Sequence, residues 1–276
     1  DGKPYYDFTR ITNLNGREIR VHGIPDYEEI MLVLNCNSKP MDYIFHNRNA
    51  ENHNITHLAL ITCGVEEFIG KPNLNGTISD AMDMSELVSS GRLFGVQPLN
   101  IIVKTLLNEQ VSEDLISECI SDISVRLDDS SLTIFYYSGH GVSYNGNYYL
   151  LSGISKTNEN LMNINDIHED LSKIPGDKLI VIDACYSGLA YAEEYDYSYL
   201  LSSEFDQVSV AGNDISGSLF TRKLKELILN SNDTNTSMSL AELSERVKSG
   251  VYQESSGRQV PVVVINTKMS DLQITQ

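Results

Sequence analysis

Two short segments hold the residue types that do covalent chemistry. They are Ser138-Gly139-His140-Gly141 and Asp183-Ala184-Cys185-Tyr186-Ser187-Gly188, with the cysteine 45 residues after the histidine. A thiol is a soft nucleophile, yet near its free pKa only a few per cent is thiolate at neutral pH, so it gains from a nearby imidazole or helix N-terminus. An imidazole beside Cys185 would protonate a leaving amine and later activate the hydrolytic water. Glycine lets backbone approach a tetrahedral intermediate closely, which makes the N–H groups of Gly141 and Cys185 candidates for an oxyanion hole. Taken singly, a cysteine at a strand end is a small buried hydrophobe, and a histidine in a turn is a surface or hydrogen-bonded residue. Paired, and each set between a strand and a glycine, they are the machinery of a cysteine peptidase.

The elements that must position the pair follow from the apolar pattern. The runs 132–137 and 178–182 precede the two segments and read as strands. Both functional residues therefore stand at carboxyl ends of strands, where open α/β sheets bind their ligands. From 57 onward strands and helices alternate: strands at 57–62 and 99–103, a helix over 79–90 with Ala81, Met82, Met84, Leu87 and Val88 as its apolar set, and a helix over 112–126. In the latter, Val111, Leu115, Ile116, Cys119, Ile120, Ile123 and Leu127 recur at the helical period, which assigns Cys119 to the core. Asn145-Gly146 signals a hairpin between Tyr144 and 147–151. A helix over 165–174 buries Ile164, Ile167, Leu171 and Ile174 and is stopped by Pro175-Gly176. Residues 189–206, acidic and rich in tyrosine, read as a mobile loop rather than a core element. A strand at 207–211, a helix over 219–229, a capping box at Ser239–Glu242 and a strand at 260–265, with Pro261 marking an edge, complete the series. The expected fold is α/β, a three-layer sandwich with a mostly parallel central sheet and helices on both faces. The first 56 residues, with β-prone runs at 17–21 and 30–34, read as a separate β-rich extension.

Composition narrows the partners. The 276 residues carry 20 Lys plus Arg against 38 Asp plus Glu, a net charge of −18. That surface repels nucleic-acid phosphates and anionic lipid and favours basic peptides or cations. No apolar run approaches the ~20 residues of a membrane helix. The start at Asp1-Gly2-Lys3-Pro4 suggests numbering that begins inside a longer or processed product. Cys36, Cys63, Cys119 and Cys185 are widely separated with no CxxC pair, which fits a reducing, cytoplasmic compartment. Without a signal peptide the acceptor motifs at Asn54 and Asn75 are coincidences. No cofactor or metal is expected. His53, His57 and Cys63 match no familiar zinc spacing. The acidic loop carrying Glu193, Glu194, Asp196, Glu204 and Asp206 is a conceivable calcium site, but it lacks the ligand spacing of an EF-hand and reads as solvated.

The two chemical segments resemble the histidine and cysteine motifs of the caspase and metacaspase family, more the metacaspase branch. The histidine-to-cysteine interval is close to the about 50 residues of caspases. The likeness extends to 74–81, similar to the family's first loop and helix, and to 217–221 and 259–261, so it spans about 57–266. It implies a caspase-like domain over 57–276, with a large-subunit-like part (57–188), the acidic loop (189–206) and a small-subunit-like part (207–276). It implies His140 and Cys185 as the catalytic dyad. Caspases hold an aspartate with arginine, whereas metacaspases line the primary pocket with acids. Asp80 and Asp183 match those acidic positions, and two carboxylates favour a guanidinium or ammonium. The alternatives are a helix N-terminal charge for Asp80 and a turn cap for Asp183. The implied partner is a protein or peptide with exposed Arg or Lys, with a regulatory protein as a further partner. No Lys or Arg lies between Lys178 and Arg222, so the loop after Cys185 cannot be self-cut by an enzyme that requires a basic residue.

Two rival readings remain. An inactive caspase-like scaffold or adaptor would keep the fold, but nothing in the dyad motifs is damaged. A flavodoxin-like nucleotide or phosphate binder shares the strand–helix alternation, but it lacks a P-loop or GxGxxG fingerprint, and the acidic charge opposes phosphate.

Overall fold

The computed structural model describes residues 55–274 apart from 69–70, 92, 154–160, 210–216 and 235–236, and four strands of the first 54 residues by their backbone. The chain divides into two compact units, Asp1–Glu51 and Asn52–Gln276. In the first, β1 (Thr12–Leu14) pairs antiparallel with β2 (Arg17–Ile19), and β3 (Glu29–Cys36) with β4 (Lys39–His46). The β-prone runs at 17–21 and 30–34 fall on β2 and β3. Pro40, near the start of β4, disguises that strand in the sequence.

The second unit begins with β5 (His57–Gly64), α1 (Thr77–Ser89), β6 (Ile101–Leu107), α2 (Glu113–Ser124) and β7 (Ser131–Ser138). A small antiparallel sheet follows, formed by β8 (Gly141–Tyr144), β9 (Asn147–Leu151) and β10 (Leu161–Asn163). Then come α3 (Ile164–Ser172), β11 (Asp177–Asp183), β12 (Ser198–Leu201), α4 (Leu219–Thr234), α5 (Leu240–Glu254), β13 (Val262–Val264) and α6 (Thr267–Ser270). The main sheet has six strands in the order β13-β12-β11-β7-β5-β6. All its pairings are parallel except β12 with the edge strand β13.

A parallel strand buried on both faces reads as a continuous apolar run whose alternate side chains feed two cores. In β7, Leu132, Ile134 and Tyr136 join Ala81 and Met84 of α1, Leu224 of α4 and Leu243 of α5 on one face. Phe135 and Tyr137 join Ile116 and Ile120 of α2 and Ile167 and Leu171 of α3 on the other. Fully buried side chains such as Phe135 and Phe220 contribute on the order of 2–3 kcal/mol each. Helix starts follow their caps: Ser112 Oγ accepts the Leu115 N–H (3.3 Å) and Ser239 Oγ accepts the Glu242 N–H (3.2 Å).

Several expectations need correction. Met82 is 51% exposed, and Thr77 and Asp80 are buried on α1 in its stead. Cys119 is only half-buried, at the margin of its core. The stretch 189–206 is not a loop throughout: β12 lies inside the sheet, and Tyr197 and Tyr199 are buried. Its sequence, Tyr195-Asp-Tyr-Ser-Tyr199, alternates aromatic and polar residues with the period of a strand, and the acidic content masked that signal. Residues 207–209 form no strand; Val210 and Ala211, the rest of that expected strand, lie outside the described residues.

Candidate active site

The strand order reverses between β5 and β7, because α1 leads from β5 to β6 on one side and α2 returns the chain to β7 on the other. A crevice therefore opens beyond the carboxyl ends of these strands. β7 and β11 are parallel neighbours with Ser138 opposite Asp183. His140 and Cys185 each stand two residues past that pair, at the same height on strands roughly 4.8 Å apart. The Gly139 N–H donates to the Asp183 carbonyl at 3.2 Å and ties the two exits together. One cleft, with about 420 Å³ of space open to solvent, is lined by His140, Cys185, Asp80 and Asp183 together with Thr77, Ser138, Ser209 and Ser218.

The imidazole is held by two contacts and its backbone by two more. Its Nε2 lies 2.8 Å from the Pro72 carbonyl. A carbonyl can only accept, so Nε2 carries a hydrogen, and Nδ1 is the ring nitrogen left to exchange a proton in the cleft. The Phe68 ring packs at 4.5 Å between centroids. The His140 carbonyl accepts from Tyr137 Oη (3.0 Å) and from the Leu151 N–H (3.0 Å). The loop that brings Phe68 and Pro72 is organised by Glu66. Its Oε1 accepts the N–H groups of Gly76 (2.8 Å) and Ile78 (3.4 Å), and its carbonyl accepts the Leu74 N–H (3.0 Å). Asn108 Oδ1 in turn accepts the Glu66 N–H at 2.9 Å.

Cys185 stands one residue beyond β11, after Ala184, and the chain then turns sharply through Tyr186 in the left-handed region (φ 59°). The Tyr186 N–H donates to the Gln207 carbonyl (2.8 Å), and the Gly188 N–H to the Ser203 carbonyl (2.8 Å). The helical support expected behind the thiol is one 3-10 turn, Ser187–Ala190. Burial raises the Cys185 thiol pKa, and the Asp183 charge adds to that. The backbone N–H groups of Ser209 and of Cys185 itself favour the thiolate without reversing the shift. The group rests as a thiol at neutral pH.

Gly141 does not line the cleft but abuts Cys185. A Cβ there would come within 2.5 Å of the Cys185 carbonyl oxygen and 2.1 Å of Tyr148 Oη, which itself donates to that carbonyl (2.9 Å). Gly141 faces Leu150 in the β8–β9 register, one residue after the bonded His140–Leu151 pair. Alternation in an antiparallel ladder then turns the Gly141 N–H away from the hairpin.

Asp80 and Asp183 are 2% and 4% exposed. Asp183 accepts from Ser209 Oγ (2.9 Å), Ser218 Oγ, Thr221 Oγ1 (2.7 Å) and the Thr221 N–H (3.3 Å). Asp80 accepts from Ser138 Oγ (3.1 Å) and, with both oxygens, from the Ser218 N–H (3.2 Å). Burial first, and then the neighbouring Asp183, push the Asp80 carboxyl up to about 7. Gly217 (φ +82°) passes so close that a Cβ would sit 2.1 Å from Asp80 Oδ1. Ser209, Ser218, Thr221, Glu66, Pro72 and Tyr148 were not legible as site residues, although 217–221 stood out as a segment. Elsewhere, Cys63 is buried in β5 with its thiol pKa raised by burial, and His53 lies outside the described residues. The Asp196 carboxylate accepts from Asn266 and Lys268. Among the described residues no cluster of three His, Cys, Asp or Glu is placed to hold a metal ion, and no helix is long and apolar enough to cross a membrane.

A family model described as the caspase domain matches residues 56–273. Among curated protein sequences none matches. Among solved structures, the protein GSU0716 from Geobacter sulfurreducens is similar with a TM-score of 0.58 and 13% identity, over 80% of this chain and 100% of that one. At that identity the likeness is one of fold.

Proposed function

Because the chain belongs to the caspase family, we propose that it is a cysteine endopeptidase cutting after arginine or lysine, with His140 and Cys185 as its dyad. The observation that carries this reading is the equal-height exit of β7 and β11 into a cleft that also holds two buried carboxylates. The Cys185 thiol gives its proton to Nδ1 of His140 as sulfur attacks the carbonyl carbon. The N–H groups of Gly141 and Cys185 hold the oxyanion. Collapse expels the amine, protonated by the imidazolium, and leaves a thioacyl enzyme. His140 then takes a proton from water, which attacks the thioester and frees the acid and the thiol. A protonated resting thiol makes His140 the base in the first step, not the partner of a standing ion pair. Asp80 and Asp183 at the cleft floor select a cationic side chain.

The loop after Cys185 is then not a site of self-cleavage. No Lys or Arg lies between Lys178 and Arg222. Just downstream, Arg222 is paired with Glu254, and Lys223 with Glu226 and Glu254, on α4. The test is turnover of peptide reporters ending in Arg, Lys or Asp. Wild type is expected to cut the first two at least a hundredfold faster than the third, and Cys185→Ala to cut none. Activity surviving in Cys185→Ala defeats the dyad, and a preference for Asp defeats the acidic pocket.

A further inference from the structure

The two carboxylates in the cleft are not equivalent. Asp183 is the more heavily bonded: Ser209 Oγ donates to its Oδ1, while Ser218 Oγ, Thr221 Oγ1 and the Thr221 N–H crowd its Oδ2 and tie the β11 end to the start of α4. Asp80 has fewer partners, Ser138 Oγ and one shared backbone N–H. Ser218 bridges the pair, giving its N–H to Asp80 and its hydroxyl to Asp183. No cation among the described residues meets either carboxylate. The charged and titratable groups around Asp80 are Asp183 on β11, Asp83 on its own helix, Tyr136 on β7, and His140 and Cys185 across the cleft. Asp83 is bonded to Lys225 of α4, so that lysine is engaged on the helix and not in the cleft. Two buried carboxyl groups this near each other do not both ionise readily.

Resting on the acidic-pocket reading, we propose that Asp80 is the residue that reads the substrate cation, and that it does so by giving up a proton as the cation enters, while Asp183 serves as the anchor. Before substrate arrives the Asp80 carboxyl is largely neutral at slightly acid pH, in line with its elevation to about 7. A guanidinium or ammonium entering the cleft supplies the missing positive charge. The carboxylic O–H then ionises, its proton leaves to solvent, and the carboxylate pairs with the ligand. Recognition of a basic residue is thereby pH-dependent on the substrate side, apart from any titration of the dyad.

The test uses the Cys185→Ala/His140→Ala protein, which removes the imidazole and the thiol from the cleft, leaves Asp183 in place beside Asp80 and cannot turn over ligand. An acetylated dipeptide amide ending in arginine is titrated in by calorimetry, in two buffers of different ionisation enthalpy, at pH 6 and pH 8. Binding is expected to release close to one proton at pH 6 and about a tenth of one at pH 8, with affinity about tenfold higher at pH 8. Asp80→Asn added to that protein is expected to abolish both the proton release and the pH dependence. The first measurement stands whether or not that variant folds. Binding without proton release, or unchanged release in Asp80→Asn, overturns the coupling alone. No binding at either pH overturns the acidic pocket, and the coupling with it.

Discussion

His168 offers the sharpest quantitative test of the packing. It lies on α3, fully buried, with the rings of Tyr195, Tyr197 and Tyr199 at 5.3, 6.0 and 5.8 Å between centroids. Among the described residues neither ring nitrogen has a hydrogen-bond partner. Burial lowers its pKa from 6.5 to about 4, opposed in part by the Glu194 charge. The unfolded chain therefore binds a proton near pH 6.5 that the folded protein refuses until near pH 4. Stability rises with pH across that window and falls as acid is added. A gap of about 2.5 units at 1.36 kcal/mol each makes the full effect about 3 kcal/mol below pH 4, and about 2 kcal/mol of it is lost by pH 5. His168→Phe removes the titrating group, and its packing consequences do not depend on pH. Urea denaturation of both proteins at pH 8 and pH 5 isolates the difference. The variant is expected to gain about 2 kcal/mol on wild type between the two, or roughly 4–8 °C in Tm for a domain of this size. His168→Leu supplies the same comparison if Phe does not fit. Wild type and variant losing equal stability within about 0.5 kcal/mol would refute the argument.

Three further outcomes follow from the site. Glu66→Ala should loosen the Pro72 loop and lower kcat by roughly ten- to a hundredfold with little change in KM, whereas Glu66→Gln, which keeps the Oε1 acceptor, should restore most of the rate. If Gln is as damaging as Ala, loop positioning through that acceptor is wrong. Gly141→Ala sets a Cβ against the Cys185 carbonyl and should reduce kcat about a hundredfold or more, the scale of losing one oxyanion donor; near-normal kcat would remove Gly141 from the site. Iodoacetamide labelling of the Cys185 peptide, followed by mass spectrometry across pH, should show a midpoint above 9, since burial raises the thiol. A midpoint below 8 would mean a standing thiolate.

Local patterns in the chain were enough for much of this protein. Continuous apolar runs announced the buried parallel strands, and Asn145-Gly146 announced the hairpin, where both residues take positive φ (51° and 80°). His140 and Cys185 stood out because each lies between a strand and a glycine, a feature only a few residues long. The partners that shape the site had no such signature. Pro72 is 68 residues from the histidine it orients, and Ser209, Ser218 and Thr221 are 26, 35 and 38 residues from the Asp183 they bind. Serines, threonines and backbone carbonyls at those separations follow no periodicity, because a hydrogen bond depends on where strand ends meet rather than on spacing along the chain. β12 failed for a different reason: its tyrosines alternate like a strand, but judging the segment by its acidic residues ignored the face they do not occupy. The types of the reacting groups were thus set by the amino-acid sequence. The sharing of Ser218 by Asp80 and Asp183, and the protonation states that burial imposes on Asp80, Cys185 and His168, were decided by tertiary structure, since desolvation and charge proximity exist only once the chain is packed.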